Sequence, residues 1–249
     1  MAATPQERKK FIAKGMEQVE EGLPGWFGTF ADMMTLLFAF FVLLAAISTI
    51  DPVKLQNMAD SVGKSVGTKE EMDNQAMSLG DIHKAATKMI EEMAQESESG
   101  ETPVEVSTSP KGVTIGISSD ISFESGSATT KSGFLEILEK IVPTIQESYF
   151  MIAVEGHTDS DPLPKNLRVK YPSNWELSGA RAAAVVRLLI GLDVDPVRLQ
   201  SVGYGEFAPR DKNTAEIITA DLIQKYNSTP QQKSRNRRVE ITFLAPNKL

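Results

Sequence analysis

The 249-residue chain carries 26 Lys and Arg against 33 Asp and Glu, a formal net charge of −7, and 41% of its residues are hydrophobic. The lack of cysteine excludes disulfides and thiolate metal centres, and the two histidines, His83 and His157, lie too far apart in sequence to suggest zinc, so no metal or cofactor is expected. Lys69 to Glu101 holds nine acidic and three basic side chains, and no basic stripe with interleaved aromatics occurs, so nucleic-acid binding has no electrostatic support.

Residues 1–25 form a polar segment with Arg8, Lys9, Lys10 and Lys14 ahead of an apolar run, and no small-residue cleavage pattern follows. That run, 26–50, is WFGTFADMMTLLFAFFVLLAAISTI, whose only formal charge is Asp32. At roughly 1.5 Å of rise per residue it spans about 37 Å, enough to cross a bilayer, so it is expected as one uncleaved transmembrane helix. The excess of Lys and Arg before it places the N-terminus in the cytoplasm and the rest outside the inner membrane.

Beyond the membrane, Asp51-Pro52 has the chemistry of a helix start. Leu55, Met58, Ala59 and Val62 then recur at helical spacing, which predicts a short amphipathic segment over 51–67. The acidic, aromatic-free stretch 68–110 reads as a linker. Within it Ile82, Ala86, Met89, Ile90 and Met93 keep a helical period that could pack in a dimer, and QESESGETP breaks the pattern.

Residues 111–249 alternate element types. Strands are expected over 112–118, 150–156, 199–203 and 238–243, with a crossover after each strand. Helices are expected over 131–146, with Phe134, Ile137, Leu138, Ile141 and Val142 inward, and over 176–190, with Leu177, Ala180, Ala184, Val185 and Leu188 inward. The fold class is therefore a single N-terminal transmembrane helix followed by an α+β sandwich of βαβαβ type with helices on one face. The Pro-, Asp- and Lys-rich stretch 158–172 is a loop over the sheet's end, whose Lys165, Arg168 and Lys170 read as solvated.

Two constellations carry chemistry. Thr29 and Thr35 stand three residues either side of Asp32 on one helix face, a carboxylate flanked by hydroxyls that suits a proton or a hard monovalent cation. The stretch PGWFGTFADMMTLLFAFFVLLAAISTID resembles the membrane segment of flagellar stator B subunits, the MotB/PomB family, and its GTFAD and FFVLL wording looks most like the sodium-driven branch. The resemblance implies that Asp32 binds the transported Na+ or H+ beside a four-helix MotA/PomA-type A subunit. Ion passage would then turn the flagellar rotor and drive motility. It also implies that the segment containing Leu55, Met58, Ala59 and Val62 is a plug that blocks ion flow before assembly.

The second constellation is VEGHTDSD at 154–161, SNWELSGARA at 173–182, VGYGE at 202–206 and NRRVEI at 236–241. These motifs resemble an OmpA-like peptidoglycan-binding domain. The resemblance implies that Asp159 and Arg181 hold the zwitterionic end of a stem-peptide diaminopimelate, that Thr158, Asn174, Leu177 and Arg237 shape the groove, and that the domain dimerises. His157 and Ser178 lack a nucleophile elbow and an orienting carboxylate, so no enzyme is expected. Two other readings share these parts: the B subunit of a phage-defence ion-driven motor, and a plain membrane-tethered wall anchor in which Asp32 is dispensable.

Overall fold

The computed structural model describes residues 4–17, 24–47, 58, 77–96, 102–213 and 216–246, which fall into two units, Met1–Thr49 and Ile50–Leu249. The first unit holds α1 (Pro5–Glu17) and α2 (Gly25–Ile47). Helix α1 starts on a reciprocal cap in which the Thr4 N–H and hydroxyl both donate to Glu7 Oε2, at 2.8 and 2.9 Å. Its sequence reads T-x-x-E, a helix signal within the polar segment 1–25. Helix α2 is long and apolar enough to cross a membrane over Gly25–Ala46, with mean hydropathy 2.0 and every side chain exposed over that span. Residues 48–50 of the expected span lie outside the described residues. So does the plug-like segment apart from Met58, which is helical and exposed.

The second unit is a five-stranded sheet in the order β1-β2-β5-β3-β4, with β1 Val104–Ser109, β2 Gly112–Ser118, β3 Ile152–His157, β4 Leu199–Gly205 and β5 Arg238–Leu244. Strands β3 and β4 are parallel and every other neighbouring pair is antiparallel. Crossovers therefore follow only β2 and β3, not every strand. A tight hairpin joins β1 to β2, and β5 slots between β2 and β3. The connections run through α4 (Ser119–Ser122) and α5 (Ser132–Gln146) after β2, and α6 (Asn174–Gly191) after β3. Helices α7 (Ala220–Lys225) and α8 (Pro230–Asn236) precede β5.

Alternation along the strands sends Val113, Ile115, Ile117, Ile152, Val154, Val239, Ile241 and Phe243 to the helical face, all at most 1% exposed. Phe134, Leu138, Ile141 and Ile145 of α5 and Val185 and Leu189 of α6 close over them. Each such side chain contributes about 1.5–3 kcal/mol by leaving water. The expected inward face of α6 is rotated: Ala180 and Leu188 are half-buried, while Ala182 and Leu189 are fully buried. The cause is that α6 rides on its small face against glycines of the sheet. A Cβ on Gly156 would stand 2.2 Å from the Ser178 carbonyl oxygen, and one on Gly203 would stand 2.6 Å from the Gly179 nitrogen.

The stretch 68–110, expected as a linker, contributes two elements to this body. Residues Leu79–Glu96 form α3, capped by Ser78, whose hydroxyl donates to Asp81 Oδ2 at 2.7 Å. Leu79, Ile82 and Ala86 are buried in the core cluster, with Met89, Ile90 and Met93 packed against it. The apolar period expected to serve a dimer is thus covered within the monomer, because the sheet and α5 leave it an apolar face to dock on. Strand β1 begins at Val104, inside the same stretch. Strand β3 starts at Ile152 rather than Phe150 because the Phe150 carbonyl accepts from Arg198 Nη2 at 2.8 Å instead of joining the ladder.

Candidate functional site

The carboxyl end of β3 runs directly into Thr158 and Asp159, and a capping box opens α6 beside them. Ser173 Oγ accepts from the Trp175 N–H at 3.2 Å, and Glu176 Oε2 accepts from the Ser173 N–H at 2.8 Å. This S-x-x-E signal starts α6 two residues before the expected Glu176. It also sets Asn174 on the first turn, where its amide donates to the carbonyls of Asp159 and Asp161, each at 3.2 Å. The loop after β3 is thereby tied to the helix that carries Arg181. The 158–172 stretch is irregular as expected, and Arg168 braces it by donating to the Leu163 carbonyl at 2.7 Å.

Four charges meet here. Arg237, at the junction of α8 and β5, donates from Nη1 to Asp159 Oδ2 at 2.8 Å. It also forks Asp120 through Nε and Nη2 at 3.1 and 3.0 Å. Arg181 is 5% exposed, donates from Nε to the Ser127 carbonyl at 2.9 Å, and stacks its guanidinium 5.2 Å over the Phe123 ring. Burial pushes the Arg181 guanidinium down, while the carboxylates of Asp159 and Asp120 pull it back up. The Arg237 fork holds the Asp120 carboxyl below its usual value, and those bonds push Arg237 well up. Two guanidiniums and two carboxylates form a compact neutral set, with cation and anion presented side by side.

Of the residues singled out in sequence, Asp159 and Arg237 are in direct contact, and Asn174 braces the Asp159 loop. Leu177 is 3% exposed and can shape the groove only from beneath. Thr158 Oγ1 is buried without a hydrogen-bond partner among the described residues. Asp120 was missed, along with Ser127 and Phe123 under Arg181. The one available signal was charge balance, since Asp159 alone leaves one of two arginines uncompensated.

A cavity of about 370 Å³ opens beside Arg237, with Arg210, Arg235 and Arg238 also on its wall. Each of these is engaged: Arg210 with Glu105, Arg235 with Asp211 at 3.0 Å and Arg238 with Glu240 at 2.6 Å. The cavity therefore offers little unspent positive charge.

His157 and Ser178 do not form a catalytic pair. Ser178 faces α6's own first turn, donating to the Trp175 carbonyl at 3.0 Å and accepting from the Gly205 N–H at 3.0 Å. His157 lies on the opposite face of β3, stacked on Tyr204 with centroids 5.2 Å apart and 3.6 Å from Glu240 Oε2. Glu155, His157 and Glu240 offer ligand atoms within 4.8 Å of one another. Lys111 and Arg238 already offset both carboxylates, so a metal dication there would stand beside two cations. Burial pushes the His157 imidazole down by more than the Glu240 carboxylate pulls it up.

On α2, the hydroxyls of Thr29 and Thr35 donate to the Trp26 and Ala31 carbonyls, both at 2.8 Å. Their protons are spent on the helix, and their lone pairs stay free beside Asp32.

The profile of the family described as "Membrane MotB of proton-channel complex MotA/MotB" matches residues 8–66, and that of the OmpA family matches residues 122–220. The chain is 30% identical over 254 residues to "Uncharacterized protein YtxE" of Bacillus subtilis (strain 168), covering 95% of each chain. It is 27% identical over 269 residues to Motility protein B of the same organism, again covering 95% of each. Among solved structures, the cell wall anchor of the T6SS from Pseudomonas aeruginosa superposes with a TM-score of 0.51 at 27% identity, over 65% of this chain and 97% of that one.

Proposed function

We propose that this chain, which belongs to the MotB-like family and carries a C-terminal OmpA-like domain, is the B subunit of an ion-driven flagellar stator. Its partner is an A subunit of the MotA/PomA type. The carrying observation is that one chain holds both an apolar membrane-length helix with Asp32 as its sole charge and a folded OmpA-like domain with a neutral four-charge cluster. Asp32 takes up the ion on one side of the membrane and releases it on the other, with the oxygen lone pairs of Thr29 and Thr35 completing its shell. The N-terminus lies in the cytoplasm and the folded domain in the periplasm.

At the groove, an ammonium group replaces Arg237 as the partner of Asp159, and Arg181 or the displaced Arg237 guanidinium takes the neighbouring carboxylate of a diaminopimelate-type stem peptide. Thr158 Oγ1, without a hydrogen-bond partner among the described residues, supports a ligand contact there. Anchored so, and paired with a second copy of itself, the complex can hold still while its A subunit pushes on the rotor.

The ion proposed is sodium, on the wording of 28–44 alone, whereas the matching family profile is described for a proton channel. Swimming speed against external sodium at fixed pH, with a protonophore as control, decides: speed that ignores sodium but collapses with the protonophore would assign H+. Deleting 52–66 should slow growth through ion leak in cells carrying the cognate A subunit, and unchanged growth and internal sodium and pH would remove the plug.

A second reading, a tethered wall anchor without conduction, is supported by the likeness to the Pseudomonas aeruginosa anchor. Under it, replacing Asp32 with Asn leaves the phenotype intact. Under the stator reading, that variant does not swim.

A further inference from the structure

At the carboxyl end of β4, two residues past the strand, Phe207 stacks on Trp175 of the first turn of α6, with ring centroids 5.2 Å apart and planes 20° from parallel. Aromatic pairs of this size are usually interior, yet Trp175 is 49% and Phe207 37% exposed. The pair is also held rigidly. Gly205, the last residue of β4, has φ +55°, a conformation suited to glycine. Its N–H donates to Ser178 Oγ at 3.0 Å, and its carbonyl accepts from the Thr158 N–H at 2.9 Å.

Those two bonds tie the aromatic pair to the groove. Thr158 immediately precedes Asp159, and Ser178 lies three residues before Arg181 on α6. Asn174, next to Trp175, holds the Asp159 loop. Beside Phe207, Glu206 has one carboxylate oxygen shut from solvent with no hydrogen-bond donor among the described residues. Two half-open rings among polar groups are smaller than the apolar patches that dock proteins. They match instead the C–H face of a pyranose, whose ring hydrogens pack on an aromatic surface while its hydroxyls need nearby acceptors and amides.

We propose that Trp175 and Phe207 form a sugar platform for a pyranose ring of the same glycan strand whose stem peptide occupies the Asp159 and Arg181 groove, an inference that rests on the wall-binding reading above. The groove then reads both parts of the polymer, peptide by charge and glycan by stacking.

Calorimetric titration of the full-length protein in detergent tests this with two probes, a disaccharide carrying a diaminopimelate stem peptide and the same peptide without sugar. The wild type should bind the sugar-bearing probe about tenfold more tightly. Trp175→Ala should erase that gap while leaving affinity for the sugar-free peptide unchanged, and Trp175→Phe should keep part of it. Equal wild-type affinity for both probes, or an equal loss for both in Trp175→Ala, overturns the platform. A loss of self-association in Trp175→Ala, read by sedimentation, overturns it in favour of a contact between copies. A wild type that binds neither probe overturns the wall-binding reading itself.

Discussion

Asp32 lies in a helix with no other formal charge, and its side chain has no hydrogen bond or ion pair among the described residues. Asp159 lies at a strand end where one oxygen accepts from Arg237 at 2.8 Å and the other from the Asp161 N–H at 3.2 Å. The two carboxylates therefore suit opposite tasks. A carboxylate without a resident partner in an apolar setting is stabilised by whatever mobile cation arrives, so it can load and unload. A carboxylate already matched by guanidinium presents a fixed pattern of charge, and a ligand must reproduce that pattern to displace it. The first arrangement suits transport and the second recognition.

The sharpest break of this contrast is Asp32→Asn, which removes the charge without altering the helix's length. Swimming and ion current should fall to below about a tenth of the parental value, while binding to purified wall fragments stays unchanged. Loss of both would mean that the two units do not act separately.

Next in size is Gly156→Ala, which forces a methyl group to within 2.2 Å of the Ser178 carbonyl oxygen under α6. Denaturant unfolding should show about 1–3 kcal/mol of destabilisation, and wall binding should fall with it, because α6 carries Arg181 and Asn174.

Arg237→Ala acts on the groove itself. It removes three charge-assisted bonds and leaves Asp120 beside Asp159 without their shared cation. Because the arginine side chain is a third exposed, about 1–2 kcal/mol of stability is expected to go, and a pull-down on wall fragments should show roughly tenfold weaker binding. Lysine should not rescue it, since one ammonium cannot fork Asp120 and reach Asp159 together.

The smallest effects are those of pH. His157 has its folded value pushed below the ordinary one by burial, so the unfolded chain takes up a proton first. Stability is full above about pH 6.5 and falls as pH drops from there towards the folded value. Lys111, Arg238, Glu155 and Glu240 surround the ring, the cations adding to the downward push of burial and Glu240 opposing it. Asp120, depressed chiefly by its Arg237 bonds, behaves likewise lower down: its contribution is present above about pH 4 and disappears as pH falls through its folded value. His157→Gln should flatten the first limb of a pH-melting series and Asp120→Asn the second.

Much of the fold could be read locally. The strand at Gly112–Ser118 and the helix ending at Gln146 have the expected bounds or differ by one residue, because each has a strong period of its own. The caps Thr4–Glu7, Ser78–Asp81 and Ser173–Glu176 were also legible, and weighing them would have marked the starts of α1, α3 and α6. What stayed hidden depends on long-range closure. Asp120 reaches Arg237 across 117 residues, and nothing local to SSDISF announces that. The apolar stripe of α3 was legible within the acidic stretch 68–110, but not its place in the core, which it takes only because the sheet and α5 give it a surface.

By itself, then, the sequence determined that one helix is long and apolar enough for a membrane, that Asp32 is its lone charge, and to within a few residues where four of the second unit's five strands and the helices α5 and α6 begin and end. These follow from composition and from periods of 2 and 3.6, which a chain carries with it before it folds. Tertiary structure alone decided that Asp120 joins Asp159, Arg181 and Arg237, that His157 turns away from Ser178, and that Trp175 meets Phe207 beside the groove. Those pairings arise from strand order and from α6 seated on Gly156 and Gly203, and contacts between distant segments have no period to read.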